Sequence, residues 1–115
     1  GPTDTTSVDY PDFAHALARR VVAEENAWGI LICGSGIGMA IAANKVEGAR
    51  AALAHESYTA RMGREHNDAN ILVLGARVLG VELMKECIRA FAHASFTPGD
   101  DGRHARRVAK LDPSA

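Results

Sequence analysis

The residue with the clearest chemical potential is Cys33, which ends an apolar run and directly precedes a glycine-rich turn. Residues 30–39 read ILICGSGIGM, so that glycine occupies every second position after the cysteine. Glycines let a ligand approach the main chain closely, and successive bare N–H groups can then surround a negative charge. A thiolate near a helix N-terminus is stabilised by the helix dipole and by such N–H groups. The segment therefore combines a base or nucleophile with a cradle for an anion.

The spacing of these glycines excludes the two best-known phosphate-binding turns. The dinucleotide fingerprint G-x-G-x-x-G fails because Met39 stands where its third glycine would be, and no G-x-x-x-x-G-K-[ST] motif is present. The less favoured alternative is that the glycines only allow close packing of a strand on a helix; Cys33 could also be a small buried hydrophobe. Cys87 lies on the apolar stripe of a predicted helix, and we assign it no chemistry.

A candidate general acid lies in the polar segment EHNDAN, residues 65–70, which we predict to be a loop before an apolar strand. His66 stands there among side chains able to orient it, although most loop histidines are simply solvated. His15, His55 and His93 have weaker claims to a function.

A candidate phosphate clamp is the basic segment RHARR, residues 103–107. Arg103 and Arg107 are four positions apart and therefore share one face of a predicted helix. Two adjacent guanidinium groups bind phosphate well. The alternative is a solvated basic tail. Nucleic acid is not indicated, because the run is short and carries no aromatic residues.

The elements that must position these residues alternate between helix and strand. A Pro-containing start at residues 9–12 predicts an amphipathic helix of about 16 residues. Apolar runs predict strands, and the segments between them predict helices; the strands cover residues 28–32, 49–54 and 71–74, and the helices residues 36–44, 57–64, 81–92 and 103–111. This order predicts a parallel sheet in a three-layer, Rossmann-like α/β sandwich. Cys33 and Gly75 then follow strands at the edge where such sheets bind ligands.

Length and composition are those of one globular domain, residues 1–115, with a basic tail over residues 103–115. The net charge of −1 argues against a nucleic-acid binder. No apolar run could span a bilayer and no leader precedes the domain, so we expect neither membrane association nor secretion. Two cysteines make neither a disulfide framework nor a metal cluster, and we expect reduced thiols in a cytoplasmic protein. Gly1-Pro2 is either native or a scar of tag cleavage.

Six stretches taken together resemble the type B ribose-5-phosphate isomerases, in the family shared with the galactose-6-phosphate isomerase subunits. They occur in order over nearly the whole chain and are SVDYPDFA (7–14), CGSGIGM (33–39), IAANK (41–45), HNDAN (66–70), LGARV (74–78) and GRHARRV (102–108). Their joint occurrence is highly specific, although no single stretch is decisive.

The resemblance implies an aldose–ketose isomerase of sugar phosphates that uses no metal or organic cofactor. Cys33 would be the base that moves a proton between C1 and C2; relatives without it use a glutamate at the position of Met39. The enediolate would be stabilised by the Ser35 hydroxyl and by the backbone of Gly34, Gly36, Ile37 and Gly38. His66 would open the sugar ring as an acid, with Asn67 beside it. The phosphate would be held by Arg77, Arg103 and Arg107, and Tyr10 would line the pocket.

The resemblance also implies a homodimer or homotetramer whose sites are completed across the subunit interface. Family members carry an upstream strand–helix unit with a substrate-contacting Asp-His pair, so we expect the domain to be N-terminally incomplete relative to them and this 115-residue chain to be weakly active or inactive alone. Ribose 5-phosphate is the first choice of substrate, with galactose, allose or tetrose phosphates as alternatives. A phosphocysteine carrier of a sugar phosphotransferase system and a non-catalytic sugar-phosphate binding module remain open as different classes of function.

Overall fold

The structure, a computed structural model, describes residues 1–112; residues 113–115 of the predicted basic tail lie outside the described residues. It contains a parallel sheet and five helices: α1 Tyr10–Ala23, β1 Gly29–Cys33, α2 Ile37–Asn44, β2 Ala51–Leu53, α3 Ser57–Asn67, β3 Ile71–Gly75, α4 Val81–His93 and α5 Arg103–Leu111. Among residues 1–112, no helix is both long enough and apolar enough to cross a membrane.

The sheet is parallel with strand order β1-β3-β2, so β3 lies in the centre. The residues of β3 read ILVLG and are all buried, as expected for a strand covered on both faces. Helices α1 and α2 pack together against one face, and α3 and α4 against the other. The predicted three-layer α/β sandwich is confirmed.

The register brings the chemistry-bearing end of β1 beside the end of β3. Cys33 pairs with Gly75, and at the opposite edge Gly29 pairs with Ile71. Ala14, Ala18 and Val21 face the sheet from α1, at the i, i+4, i+7 spacing of a single helix face. On this face, α1 thus contributes small side chains to the core and the central strand contributes large aliphatic ones.

Helix α3 extends to Asn67, three residues beyond its predicted end at Arg64. Consequently His66 and Asn67 lie in its last turn, and the prediction that they belong to a loop is wrong. The helix ends at Asp68, which adopts a left-handed φ of 49°. Arg64 stabilises this ending, because its guanidinium donates to the Asp68 carboxylate at 2.9 Å and to the Ala69 carbonyl at 2.8 Å. An i,i+4 ion pair therefore stabilises the extension of the helix into the polar segment 65–70.

Candidate active site

The turn after β1 is held by the segment that follows β3. Ala76 N–H donates to Cys33 O at 2.8 Å, and Arg77 N–H donates to Gly34 O at 2.9 Å. Cys33 is a free, half-buried thiol. These bonds fix the main chain on both sides of the sulfur, so the thiol is presented on a rigid element.

Gly36 allows the chain to turn from the strand into α2. It is the N-cap of α2 and has a φ of 83°, a left-handed conformation that favours glycine. Ile37 N–H donates to the Ser35 hydroxyl oxygen at 3.2 Å, which leaves the hydroxyl proton free to donate elsewhere. The next N–H groups, of Gly38 and Met39, have no partner inside a helix by its geometry. The turn therefore offers hydrogen-bond donors beside the thiol, although Ile37 N–H is occupied by Ser35.

Two further predicted residues lie against this turn. The Tyr10 ring packs directly on Gly38, where no side chain would fit without moving it. The Arg77 side chain lies over Gly34, with its Cδ atom 3.5 Å from the position that a Cβ atom of residue 34 would take. We call these residues the thiol cluster: Tyr10, Cys33, Gly34, Ser35, Gly36, Ile37, Gly38 and Arg77.

Gly75 lets the end of β3 touch the cradle, and we expect its replacement by alanine to damage the site. A Cβ atom there would lie 2.5 Å from the Ser35 carbonyl oxygen and 2.7 Å from its carbon, so backbone would have to shift. We predict that Gly75→Ala lowers the free energy of unfolding by about 1–3 kcal/mol, as overpacking does. Urea denaturation measures this. Gly80→Ala is the control, because Gly80 has a φ of −72° and open space around its Cβ position; a loss as large as that of Gly75→Ala would contradict the prediction.

A second group of predicted residues gathers where α3 ends and α5 begins. The His66 and His104 rings are stacked, with centroids 4.2 Å apart and planes 9° from parallel. Arg103 and Arg107 belong to the same helix as His104, and their side chains are exposed. We call this group the imidazole cluster: His66, Asn67, Arg103, His104 and Arg107.

The electrostatics of the imidazole cluster are strongly positive. Partial burial lowers the pKa of His104, and the positive charges of His66, Arg103 and Arg107 lower it further, while Asp101 opposes them. Two arginines beside two imidazoles suit the binding of a dianionic phosphate.

The two clusters lie at opposite edges of the sheet. Cys33 is paired with Gly75 at the carboxyl end of β3, whereas α3 returns antiparallel to the strands and ends just before Ile71, at the start of β3. A five-residue strand separates these edges by about 16 Å. Within one chain, the structure therefore brings the predicted residues together in two groups and does not bring His66 or the α5 arginines to Cys33.

Several residues that sequence reasoning missed shape the imidazole cluster. The Arg50 side chain donates from Nε to the Asp68 carbonyl oxygen at 2.7 Å, and the Arg50 backbone N–H donates to Asn70 Oδ1 at 2.8 Å. Asp68 and Asn70 therefore stabilise the turn between α3 and β3. The side chain that stacks on the His66 ring is His104, which lies 38 positions further along the sequence. The i,i+4 spacing of Arg64 and Asp68 was a readable signal for the helix end, but nothing local signalled the histidine stack.

A cavity of about 680 Å³ also lies on the side of the imidazole cluster, at the start of β2. Of the residues predicted to form the substrate site, Asn67 lines this cavity, together with Arg50 and with Leu111 at the end of α5. The cavity is not over the thiol. Within residues 1–112, no group of three or more His, Cys, Asp or Glu side chains is arranged to hold a metal ion.

The fold and the thiol cluster define an α/β protein with a cysteine and an anion cradle at the carboxyl edge of a parallel sheet. The profile of the ribose/galactose isomerase family matches residues 1–111. The chain belongs to this family, as the sequence stretches predicted.

Individual relatives and structures agree with this assignment. The chain is 44% identical over 108 residues to ribose-5-phosphate isomerase B of Escherichia coli, covering 94% of this chain and 70% of that protein. It is 47% identical over 102 residues to D-erythrulose-4-phosphate isomerase of Pectobacterium atrosepticum, covering 89% and 65%. The structure of type B ribose 5-phosphate isomerase from Trypanosoma cruzi matches with a TM-score of 0.93 and 52% identity, over 99% of this chain and 75% of that one. The chain thus spans about two thirds to three quarters of their lengths.

Proposed function

We propose that the protein interconverts ribose 5-phosphate and ribulose 5-phosphate without a metal or organic cofactor, in a site shared between two copies of the chain. The observation that carries the proposal is the division of the site. A thiol with an anion cradle lies at one edge of the sheet, and imidazoles with two arginines lie at the other. The thiol cluster contains no histidine and the imidazole cluster contains no thiol, and the family of the chain is that of ribose/galactose isomerases.

The reaction needs a base beside a donor-rich turn. The Cys33 thiolate removes the proton on C2 of the open-chain aldose, and the electrons move onto the carbonyl oxygen to give an enediolate. The Ser35 hydroxyl and the N–H groups of Gly36 and Gly38 stabilise that negative charge where it develops. The hydroxyl proton on O2 then moves to O1, the thiol returns its proton to C1, and the ketose is formed with no net change in oxidation.

The imidazole cluster of the second copy serves the other end of the sugar. His66 donates the proton that opens the ring, with Asn67 beside it. Arg103 and Arg107 bind the phosphate, and Arg77 approaches it from the side of the thiol. Phosphate binding far from C1 and C2 supplies energy that holds the reacting carbons in place.

An exposed apolar surface next to the thiol supports the shared site. Helix α2 is apolar on all sides, and Ile37 and Ile41 on its outer face are 54% and 58% exposed. Such helices are normally buried. We expect a second copy to cover this face and to bring its imidazole cluster to Cys33, in either a homodimer or a homotetramer. We expect the enzyme to work in the cytoplasm, where Cys33 stays reduced.

The substrate is tested by assaying the protein at its natural full length with a panel of aldose phosphates. We expect kcat/KM for ribose 5-phosphate to exceed that for allose 6-phosphate and galactose 6-phosphate by about tenfold or more. In D2O, deuterium should enter the product at the carbon that receives the proton. Failure to isomerise any member of the panel would overturn the proposal and favour a non-catalytic binding module.

Erythrose 4-phosphate is the second candidate substrate. The relative at 47% identity is named as an isomerase of a tetrose phosphate. A tetrose substrate would be indicated by a higher kcat/KM for erythrose 4-phosphate than for ribose 5-phosphate in the same panel.

A further inference from the structure

The face of the His66 ring is covered by His104. The two rings are nearly parallel, and their centroids are 4.2 Å apart. His66 lies in the last turn of α3 and His104 in the first turn of α5, so two separate elements must be held together to keep the rings aligned.

The loop between α4 and α5, which we call the clamp, also contacts His104. His104 N–H donates to Pro98 O at 2.9 Å, and Ala105 N–H shares this acceptor at 3.3 Å. Gly99 has a φ of 89°, and a Cβ atom there would lie 2.9 Å from His104 Cδ2. Glycine at position 99 therefore lets the loop backbone approach the His104 ring closely.

The same loop is tied to the residue beside His66. Thr97 N–H donates to Glu65 O at 2.9 Å, and the Thr97 hydroxyl donates to the same oxygen at 3.3 Å. The clamp therefore connects the end of α3 to the start of α5 through backbone hydrogen bonds.

We propose that His104 is a positioning residue that fixes the plane of the His66 imidazole for proton transfer during ring opening. This inference rests on the proposed function. The rings can remain stacked while one of them carries a proton, but two cations at 4.2 Å repel each other. The groups facing His104 are His66, Arg103, Arg107 and Asp101, of which only the last favours its protonation.

The stack is tested first without an activity assay. In NMR spectra, His104→Ala should move the His66 ring-proton signals downfield, because the ring current of the stacked neighbour is lost. His104→Phe should keep them shifted. His93→Ala, at the exposed end of α4, is the control and should leave them unchanged. Unmoved His66 signals in His104→Ala would overturn the inference whatever the enzyme does.

Kinetics then separate a positioning role from a merely structural one. His104→Ala should lower kcat with ribose 5-phosphate by about ten- to a hundredfold, the range for a misplaced acid, and His104→Phe should restore most of it. Erythrose 4-phosphate cannot form a ring and needs no ring opening, so its turnover should fall far less. Equal losses with both substrates would overturn the inference. If the wild-type protein isomerises neither, the proposed function fails and the inference about positioning falls with it, while the NMR result still reports the stack.

The stack should also make stability depend on pH. Because the pKa of His104 is lowered in the folded state, the unfolded chain binds its proton more readily. The contribution to stability is complete above the ordinary histidine pKa of about 6.5 and is lost as the pH falls below it. The Tm of the wild-type protein should therefore fall more than that of His104→Phe on acidification. An equal fall in both proteins would contradict this role of His104.

Discussion

Replacing Cys33 by alanine should lower kcat for ribose 5-phosphate by about 10²- to 10⁴-fold, the contribution expected of a positioned base. The thiol lies at the end of β1, in a turn fixed by hydrogen bonds from Ala76 and Arg77. Its removal leaves those bonds in place, because they use the backbone only. Substrate binding, measured by calorimetry, should therefore change little.

Cys87 provides the matched control. It is fully buried on α4, and burial raises the pKa of its thiol, as do the negative charges of Glu56 and Glu86. A protonated thiol in the core cannot act as a base. We expect Cys87→Ala to cost stability but to keep kcat within about twofold of the wild type. Full turnover by Cys33→Ala, or inactivity of a folded Cys87→Ala, would contradict the assignment of the base.

Cys33→Ala also distinguishes an isomerase from a phosphocysteine carrier. A phosphocysteine carrier would accept a phosphoryl group on Cys33 from a phosphorylated donor protein, and it would lose that label in Cys33→Ala. The structure places the whole of α1 before β1, whereas the carrier hypothesis expects the cysteine strand to open the domain. We expect no phosphocysteine in the wild-type protein.

Mixing two inactive variants should restore activity. Cys33→Ala damages the thiol cluster and His66→Ala damages the imidazole cluster. If each site combines one cluster from each copy, a mixed dimer contains one intact site and one doubly damaged site. Random association of equal amounts then recovers about a quarter of the wild-type activity. The measurement is kcat after the two variants have been unfolded and refolded together.

The control for this mixing experiment pairs two variants of the same cluster. Cys33→Ala and Arg77→Ala both change residues of the thiol cluster, so no mixed dimer contains an intact site. Their mixture should recover nothing beyond the sum of the separate proteins. Absence of recovery in the first mixture would show that one chain completes its own site, against the separation of the clusters seen here.

The strands and helices could be read from the sequence because their signals are local. The apolar runs that became β1 and β3 are bounded by turn residues, and the helices follow their hydrophobic spacing. The cradle after Cys33 was equally readable, since it is a single continuous segment. The family, carried by six short stretches, is confirmed by the profile match; the roles of the individual site residues stay predictions.

The end of α3 and the partner of His66 could not be read in this way. The helix continues into a polar segment because Arg64 and Asp68 form an ion pair across one turn. This ion pair outweighs the preference of Asp and Asn for turns. The stack with His104 depends on how α5 docks on α3, a contact between residues far apart in sequence.

The sequence by itself determined the family and predicted which residues carry the chemistry: a thiol in a glycine turn, a histidine, and an arginine pair four positions apart. Only the tertiary structure decided that they fall into two groups. The physical reason is the parallel sheet. Each strand ends at the carboxyl edge, and each helix must return to the opposite edge before the next strand begins. Cys33 lies at the end of a strand and His66 in the last turn of a helix, so the two residues lie at opposite edges of the sheet within one chain.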